Sequence, residues 1–513
     1  MERAHEVFKT QVIIVGAGPT GLSMAAQLLR YGIDFIIIEK KVSTTVFSKA
    51  LVVQARTLEI FQELGIAKKA VAEGAITTAL NLFYRGKRKA ALNFAGLGEG
   101  LSSFPFPLSL EQSKTESLLV DHLSANGINI QWQSELLNFE QNEAGVTAFY
   151  KDNSGKAQQV VAQYLVGCDG ASSLIRHQLG LSFDGDTVPK LFYVADVKLN
   201  SRVIHKNELF MFLIKKGFIL FFPMEGHGHY RIVGVLPKSE GMDVEFKFAD
   251  IQNSIIEQVN VPLAFEEVMW YSSYKVHSRK ASSFENGRCY IAGDAAHIHT
   301  PAGGQGMNTG IQDAYNLAWK MAFTIKGVVN AQVLSSYNTE RIDNAKHLLQ
   351  TTDRLFDIMS GTNPIWNFFR LNFMPPILGL VTKSAMVKKR FFPLISQTAI
   401  SYPNSFLTVE SQVGKVKAGV RMPYFTFSDG KDIFSYLSDP AFKVLFFGTS
   451  DRNNFKQDPG GKMTILECVF NEIPAAIFGK EKDFYVLLRP DNHISYLGKD
   501  LNRCYQILDS LKL

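Results

Sequence analysis

Apolar residues in this chain recur with two different periods, and the changes between them mark its elements. Val12–Val15 is an unbroken β-branched run, the pattern of a strand buried on both faces. Helical spacing follows at Leu22, Ala25, Ala26 and Leu29 and stops at Gly32. Phe35–Ile38 is a second short apolar run, so the first forty residues predict strand, helix, strand. Helical spacing returns at Arg56–Leu64, Gln112–Leu123 and Asn308–Met321, each with Leu, Ile, Ala, Met or Phe on one face. Strand-like runs occupy Ala79–Ala95, Ile128–Trp132, Val146–Tyr150 and Val160–Val166, the last two joined across the turn Asp152–Gly155.

Between 183 and 275 the period becomes two. Phe192–Leu199, Leu209–Ile214, Phe218–Phe222 and Tyr230–Leu236 alternate and are separated by short turns, which predicts an antiparallel sheet inserted between two α/β pieces. Of its aromatics (Phe210, Phe212, Phe218, Phe221, Phe222), most belong in the core and the remainder can line an apolar pocket. Arg341 to about Ser405 is helical and apolar, broken at Pro375-Pro376. From about Val409 the chain is α/β again, with strands at Val444–Phe447 and Phe484–Leu488 and a last helix at Leu501–Leu511.

Composition narrows the picture. At 513 residues the chain exceeds one core. A formal charge of +6, with no basic run interleaved with aromatics, suits an anionic ligand and argues against nucleic acid. Cys168, Cys289, Cys468 and Cys504 are scattered without metal-ligand spacing, so no metal is expected and a reducing, cytoplasmic compartment is. The N-terminus MERAHEVFKT is no signal peptide, and no uncharged apolar run reaches the roughly 18 residues of a membrane span. The apolar segment 365–400 leaves peripheral membrane contact open, but packing between domains is the commoner reason for such a stretch.

The chemistry is concentrated in glycine-rich turns. Gly16, Gly18 and Gly21 form G-x-G-x-x-G between the first strand and helix, with Pro19 and Thr20 inside it. The glycines allow a tight turn, close approach of a pyrophosphate, and close packing of helix on strand. Glu39 ends the second strand, where a carboxylate can take a ribose hydroxyl pair, and Lys40 follows it. This is an adenine-dinucleotide site. Lys49 and Arg56 are close enough in sequence to reach phosphate or flavin edges, and equally read as surface charges. In Leu165–Leu179 a strand runs into Asp169-Gly170 and a helix that Ser172 or Ser173 can cap. In Arg288–Lys320 a strand ends at Gly293-Asp294. The loop Pro301–Gly306, which includes Gly304, then exposes backbone amides in front of a helix that begins near Met307 and Asn308.

GAGPTG at Gly16–Gly21, CDGASSLIR at Cys168–Arg176 and AGDAAHIHTPAGGQGMNTGIQDAYNLAWK at Ala292–Lys320 stand in the order of a known family. The chain resembles the FAD-dependent aromatic hydroxylases, the class A flavoprotein monooxygenases related to p-hydroxybenzoate and phenol hydroxylases. The resemblance implies that Glu39 binds the adenosine ribose and that Asp294 holds the ribityl chain. It implies that the amides of Gly306 and Met307 face the flavin pyrimidine and that Gln112 also contacts the cofactor. Asp169, supported by Arg176, would serve both FAD and NADPH. Where the family usually has arginine before Ala50, this chain has Lys49, which keeps the charge without the planar fork. RPDNHISY at 489–496 resembles the close of the C-terminal thioredoxin-like domain of larger members; with no C-x-x-C it implies no thiol chemistry, but a structural or dimer-buttressing role.

The implied architecture is α/β. A Rossmann-like FAD-binding domain (1–182 and 276–405, the latter including a helical segment) carries an inserted antiparallel substrate-binding sheet (183–275), and a thioredoxin-like domain (406–513) follows. The C-terminal domain is expected to be dispensable for flavin binding. The implied activity is NAD(P)H-consuming, O₂-using hydroxylation of a phenolic or polycyclic aromatic ring through a flavin C4a-hydroperoxide. No catalytic base is identified. A Baeyer–Villiger or epoxidising oxygenase, or a non-catalytic flavoprotein, would share the scaffold, whereas a halogenase would need a W-x-W-x-I-P motif that this chain lacks.

Overall fold

The computed structural model describes residues 8–46, 50–214, 217–236, 247–300, 304–360, 373, 377, 385–449 and 463–512. Val12–Val15 is fully buried inside a five-stranded sheet. It pairs in parallel with Phe35–Ile38 on one side and with Tyr164–Gly167 on the other, which pairs in parallel with Cys289–Ile291. The nucleotide-binding sheet is therefore assembled from segments on both sides of the 183–275 insertion. Helices α1 (Pro19–Arg30), α2 (Ala55–Glu63), α3 (Gln112–Ala125) and the short α4 (Leu174–Gln178) belong to this half of the molecule.

One expected strand is absent. Ile128–Trp132 makes only an isolated bridge, Gln131 to Ile38, at the edge of the sheet. Its backbone still does useful work there. Gln131 N donates to Ile37 O at 2.9 Å and Glu39 N donates to Gln131 O at 3.0 Å, so the segment fixes the end of the strand that carries Glu39. Its alternating Ile128, Ile130 and Trp132 pack against the core without a strand partner on their far side.

The second sheet has eight strands and is wider than the 183–275 insertion. Its order is 297–298, 264–281, 183–200, 229–235, 217–223, 208–214, 79–84 and 87–93. The hairpin 79–93 joins by parallel pairing of Ala79–Tyr84 with Glu208–Ile214. Phe83 drives this, since its ring lies 5.1 Å from that of Phe212 and 6.2 Å from that of Phe210 inside the sheet's core. Phe210, Phe212, Phe218 and Phe221 are core residues, and Phe222 is half-buried. Helix α5 (Phe248–Val259), in a region that reads as all strand, covers one face with Phe248, Ile251, Ile255 and Val259. The chain returns through an 18-residue strand, Ala264–Ala281, paired along Phe183–Asn200.

Helix α6 (Gly306–Ile325) packs across α1, and α7 (Gln332–Ser360) packs on α6. The apolar stretch 361–384 lies outside the described residues except Phe373 and Ile377. Helix α8 (Ala385–Ile395) inserts Phe392 among Ala55, Leu92, Phe94 and Leu97. Among the described residues no helix is long and apolar enough to cross a membrane. In the C-terminal part, Phe442–Phe447 pairs in parallel with Ile465–Phe470 and antiparallel with Phe484–Leu488, which continues to Ile494–Gly498, and α9 (Leu501–Leu511) closes the chain.

The approach between α1 and the first sheet is tight. A Cβ on Gly21 would lie 1.8 Å from the Gly16 carbonyl oxygen and 3.2 Å from the Cys168 Cβ, contacts that backbone cannot yield. Gly21→Ala is therefore expected to destabilise the apoprotein by about 3 kcal/mol or more, read as a fall in the thermal unfolding midpoint.

Candidate functional site

The two glycine-rich turns meet at one end of the five-stranded sheet. Gly16 has φ +103°, and a Cβ there would lie 2.3 Å from the Cys168 carbonyl oxygen. Gly18 is different, because a Cβ there would meet nothing within 4 Å. Gly16 and Gly21 thus serve packing, and Gly18 borders open space over the first turn of α1. Pro19 occupies the start of that helix and no side chain caps it, so its first amides face outward with the positive end of the helix dipole. Glu39 is buried beside this turn, its Oε2 accepting from Ala17 N at 2.7 Å and its Oε1 from Lys41 N at 2.9 Å. Lys40 is exposed next to it.

Thr20 joins the first turn to the second. A Cβ on Gly293 (φ +63°) would lie 2.4 Å from Thr20 Oγ1, and one on Gly310 would lie 2.3 Å from the same oxygen. Asp294 is exposed on the 3₁₀ turn Gly293–Ala295. That turn is held from below. Asp313 Oδ2 accepts from Gly293 N at 3.0 Å and from His297 Nε2 at 2.7 Å, and its Oδ1 accepts from Arg341 Nε at 2.7 Å. Burial by itself would raise the Asp313 carboxyl, but Arg341 and His297 outweigh it and hold the group below the ordinary carboxylate range. Gly306 and Met307 open α6, whose N-terminus also has no side-chain cap. Gly304 (φ +63°) lies against Val52, 3.1 Å from the position of its absent Cβ.

The Asp169 turn completes the platform. Its Oδ1 accepts from Ser173 Oγ at 2.6 Å and its Oδ2 from Ile175 N at 3.2 Å, while Ser173 caps α4. Burial raises the Asp169 carboxyl despite these bonds. Arg176 donates to Ala295 O at 2.9 Å and to Ala171 O at 2.8 Å, with its guanidinium 3.8 Å over the Phe183 ring, so it ties this turn to the one carrying Asp294. Gln112 begins α3; its amide donates to Ala50 O at 3.2 Å and its side chain to Glu116 at 2.8 Å.

Two of the expected cofactor residues have side chains engaged elsewhere in the protein. Arg56 does not reach toward the glycine turns: it is buried, pairs with Glu59 at 3.1 Å, donates to Asp491 O at 3.0 Å and lies 5.3 Å over Tyr315. It begins α2 on the side that receives the C-terminal sheet. The Asn308 side chain also has no free group for a cofactor. Its oxygen accepts from Gln54 N and Thr57 Oγ1, both at 2.8 Å, and its amide donates to Val52 O at 2.8 Å and Gly304 O at 3.0 Å. It clasps the 52–57 segment to α6. Lys49 and Pro301 lie outside the described residues.

The facing wall, from the eight-stranded sheet, carries an ion pair that went unread in the sequence. Arg231 forms a bidentate pair with Asp196, 2.7 Å at each contact, and donates to Ala50 O at 3.1 Å. By register, Phe222, Leu220, Met211, Trp270 and Tyr274 share its face of the sheet, all half-buried. Burial raises the Tyr274 hydroxyl to about 12, so it stays protonated at neutral pH. A lone Arg and Asp on separate strands give no linear motif.

Residues 9–352 match the family described as FAD binding domain. The chain belongs to the FAD-dependent aromatic hydroxylases. It is a flavoprotein monooxygenase, 32% identical over 449 residues to 6-methylpretetramide 4-monooxygenase of Streptomyces rimosus, covering 85% of this chain and 79% of that one. Among solved structures it is similar to the OxyS anhydrotetracycline hydroxylase of Streptomyces rimosus, with TM-score 0.76, 26% identity and coverage of 98% and 99%. In fold it also resembles the flavin-dependent monooxygenase PieE, solved with FAD and substrate, with TM-score 0.81, 20% identity and 99% coverage of both chains.

The platform of this flavoprotein fits FAD: an open glycine at a helix N-terminus for the pyrophosphate, a buried carboxylate beside it, and an exposed one at the second cradle. Gly18→Ala separates binding from folding. Unlike Gly21→Ala, it should leave the apoprotein's unfolding free energy within about 0.5 kcal/mol of wild type, and FAD titration should show a large loss of affinity.

Proposed function

We propose that this monooxygenase hydroxylates a phenolic or polycyclic aromatic ring, with FAD bound across the two glycine turns and NAD(P)H and O₂ as co-substrates. The reading rests on the half-buried wall of Phe222, Leu220, Met211, Trp270 and Tyr274, which faces the platform and is pinned to it by Arg231. Apolar ligands with few polar anchors suit such inter-domain walls, and both the pretetramide relative and the anhydrotetracycline hydroxylase act on polycyclic compounds by name. In this reading the Gly16–Gly21 turn, with Pro19 and Thr20, takes the pyrophosphate. Glu39 takes the ribose, with Lys40 beside it. Asp294 takes the ribityl chain, and the amides of Gly306 and Met307 take the pyrimidine. Bound FAD supplies hydride acceptance and oxygen activation. The chain orients the ring, excludes water and keeps Tyr274 protonated as a hydrogen-bond donor.

NAD(P)H has no second dinucleotide fold of its own to occupy. A cationic strip along Ala264–Ala281 offers it a docking place beside the Asp294 turn. Lys275, His277 and Arg279 lie there, with Arg176 close enough to feel the charge of Arg279. Burial, then Arg279 and Lys275, lowers the His277 imidazole, so the strip's charge at neutral pH comes from the arginines and Lys275. We read residues 1–182 with 276–405 as the FAD domain, the insertion with its hairpin as the substrate domain, and 406–513 as thioredoxin-like. The free state of all four cysteines supports a reducing, cytoplasmic setting.

The deciding experiment is NADPH oxidation by the FAD-loaded enzyme, slow alone and accelerated by the right polycyclic phenol, whose product gains one oxygen atom by mass. A lactone product would replace hydroxylation with ring insertion, and aromatic ligands that bind without accelerating flavin reduction would sink the reading. Separately, Arg279→Ala should raise the KM for NAD(P)H by about tenfold with kcat little changed, since it removes a charge-assisted contact made equally before and during reaction.

A further inference from the structure

The segment Arg489–His493 of the C-terminal part is buried against the FAD domain. Arg489 forks onto Glu340 of α7, with Nη1 to Oε1 at 2.6 Å and Nη2 to Oε2 at 3.0 Å. Glu340 also accepts from Lys320 Nζ and Asn316 Nδ2 of α6, both at 2.7 Å, and from Ser405 Oγ at 2.5 Å. The next residue of α7 is Arg341, which holds the Asp313 carboxylate beneath the Gly293–Asp294 turn. Arg341 reaches the C-terminal side too. Its Nη1 donates to Tyr402 Oη at 2.8 Å; Tyr402 packs on the His493 ring at 4.6 Å and lies 5.2 Å from the Arg489 guanidinium. Arg489, Glu340, Arg341 and Asp313 are all at most 3% exposed.

We propose that Arg489 and Tyr402 are positioning residues of the flavin site. The C-terminal segment grips Glu340 of α7 directly and the next residue, Arg341, through Tyr402 packed on it, and Arg341 grips the carboxylate that shapes the turn bearing Asp294. The domain that the sequence marks as dispensable for flavin binding is thus a working part of it. The physical case is geometric. A guanidinium that donates to Asp313, Tyr402 and the Thr309 carbonyl has its plane set by all three. If its Tyr402 partner goes, Arg341 is free to tilt, and the Gly293 amide loses an acceptor in a fixed place. The inference rests on the Asp294 turn facing the flavin.

The test is the FAD dissociation constant of the full-length chain, by fluorescence titration of the apoprotein, alongside its unfolding midpoint. Arg489→Met leaves Glu340 its Lys320, Asn316 and Ser405 partners. Tyr402→Phe removes only a hydroxyl, so it covers the case in which the arginine variant folds poorly. Leu497→Ala, in the C-terminal core, weakens that domain without touching the network. Arg489→Met and Tyr402→Phe should weaken FAD binding by about tenfold and about threefold, and Arg489→Lys should recover part of the loss. Leu497→Ala should lower the midpoint with FAD affinity unchanged. FAD affinity that follows the midpoint across all variants, or that is unchanged in Arg489→Met and Tyr402→Phe, overturns the inference. Unchanged affinity in Asp294→Ala overturns instead the site reading beneath it.

Discussion

The carboxylate of Asp313 is the joint on which the platform turns. It sits where a strand end, α6 and α7 converge, and each of its oxygens serves a different one of them. Burying a charge costs several kcal/mol unless it is well paired, and here an arginine, an imidazole and a backbone amide supply the pairing. Because the folded carboxyl lies below its ordinary range, the stability it contributes is fully present at neutral pH. That contribution fades only as the pH falls through the folded value. Glu340 behaves alike: burial would raise it, but Arg489 and Lys320 bring it down to about 2. The turn carrying Asp294 and the docking of the C-terminal segment therefore both lose support in strong acid, the first through Asp313 of α6 and the second through Glu340 of α7.

Backbone proximity does the rest of the organising. Gly293 and Gly310 both crowd the Thr20 hydroxyl, and Gly21 crowds Gly16. Three segments that are far apart in sequence are thus brought together without a Cβ between them. Open space remains over Gly18. A rigid platform with a vacant edge is what an extended dinucleotide needs. The opposite wall is built on another principle. It is a sheet face of half-buried apolar side chains with one bidentate ion pair, and Arg231 fastens it to Ala50 of the platform. Platform and wall can vary separately, so family members can share a cofactor site and differ in the ring they accept.

Legibility from sequence followed the same division. The glycine turns could be read because each position answers to a local constraint on the backbone, and Glu39 and Asp294 stand beside those turns. Arg56 and Asn308 could not, since their partners, Asp491 and the 52–57 segment, are set by tertiary docking. Ile128–Trp132 alternates as a strand should, but it meets only one neighbour and ends as a bridge. The Ala264–Ala281 strand was hidden for the opposite reason. It is largely exposed toward its start and carries charges on its visible positions, so no period stands out until its pairing with Phe183–Asn200 is known. Helix α5 escaped because strands surround it, although its Ile251, Ile255 and Val259 do keep helical spacing.

The C-terminal interface shows why buried charge is kept where apolar contact would hold as well. Hydrophobic residues of equal volume commonly stabilise as much as a buried ion pair, so Arg489, Glu340 and Lys320 are poorly explained as glue. What the pairs do provide is register. Arg489 satisfies Glu340 through two parallel contacts, Arg421 meets Glu59 at 3.0 Å, and Asn492 meets Glu63 at 2.8 Å. Each would be left unsatisfied by a shift of a few ångströms, at a cost greater than any apolar slip. The domain therefore docks in a fixed register, with His493 packed on Tyr402, which accepts from Arg341. Specific docking, more than added stability, is what makes a remote domain able to shape the site.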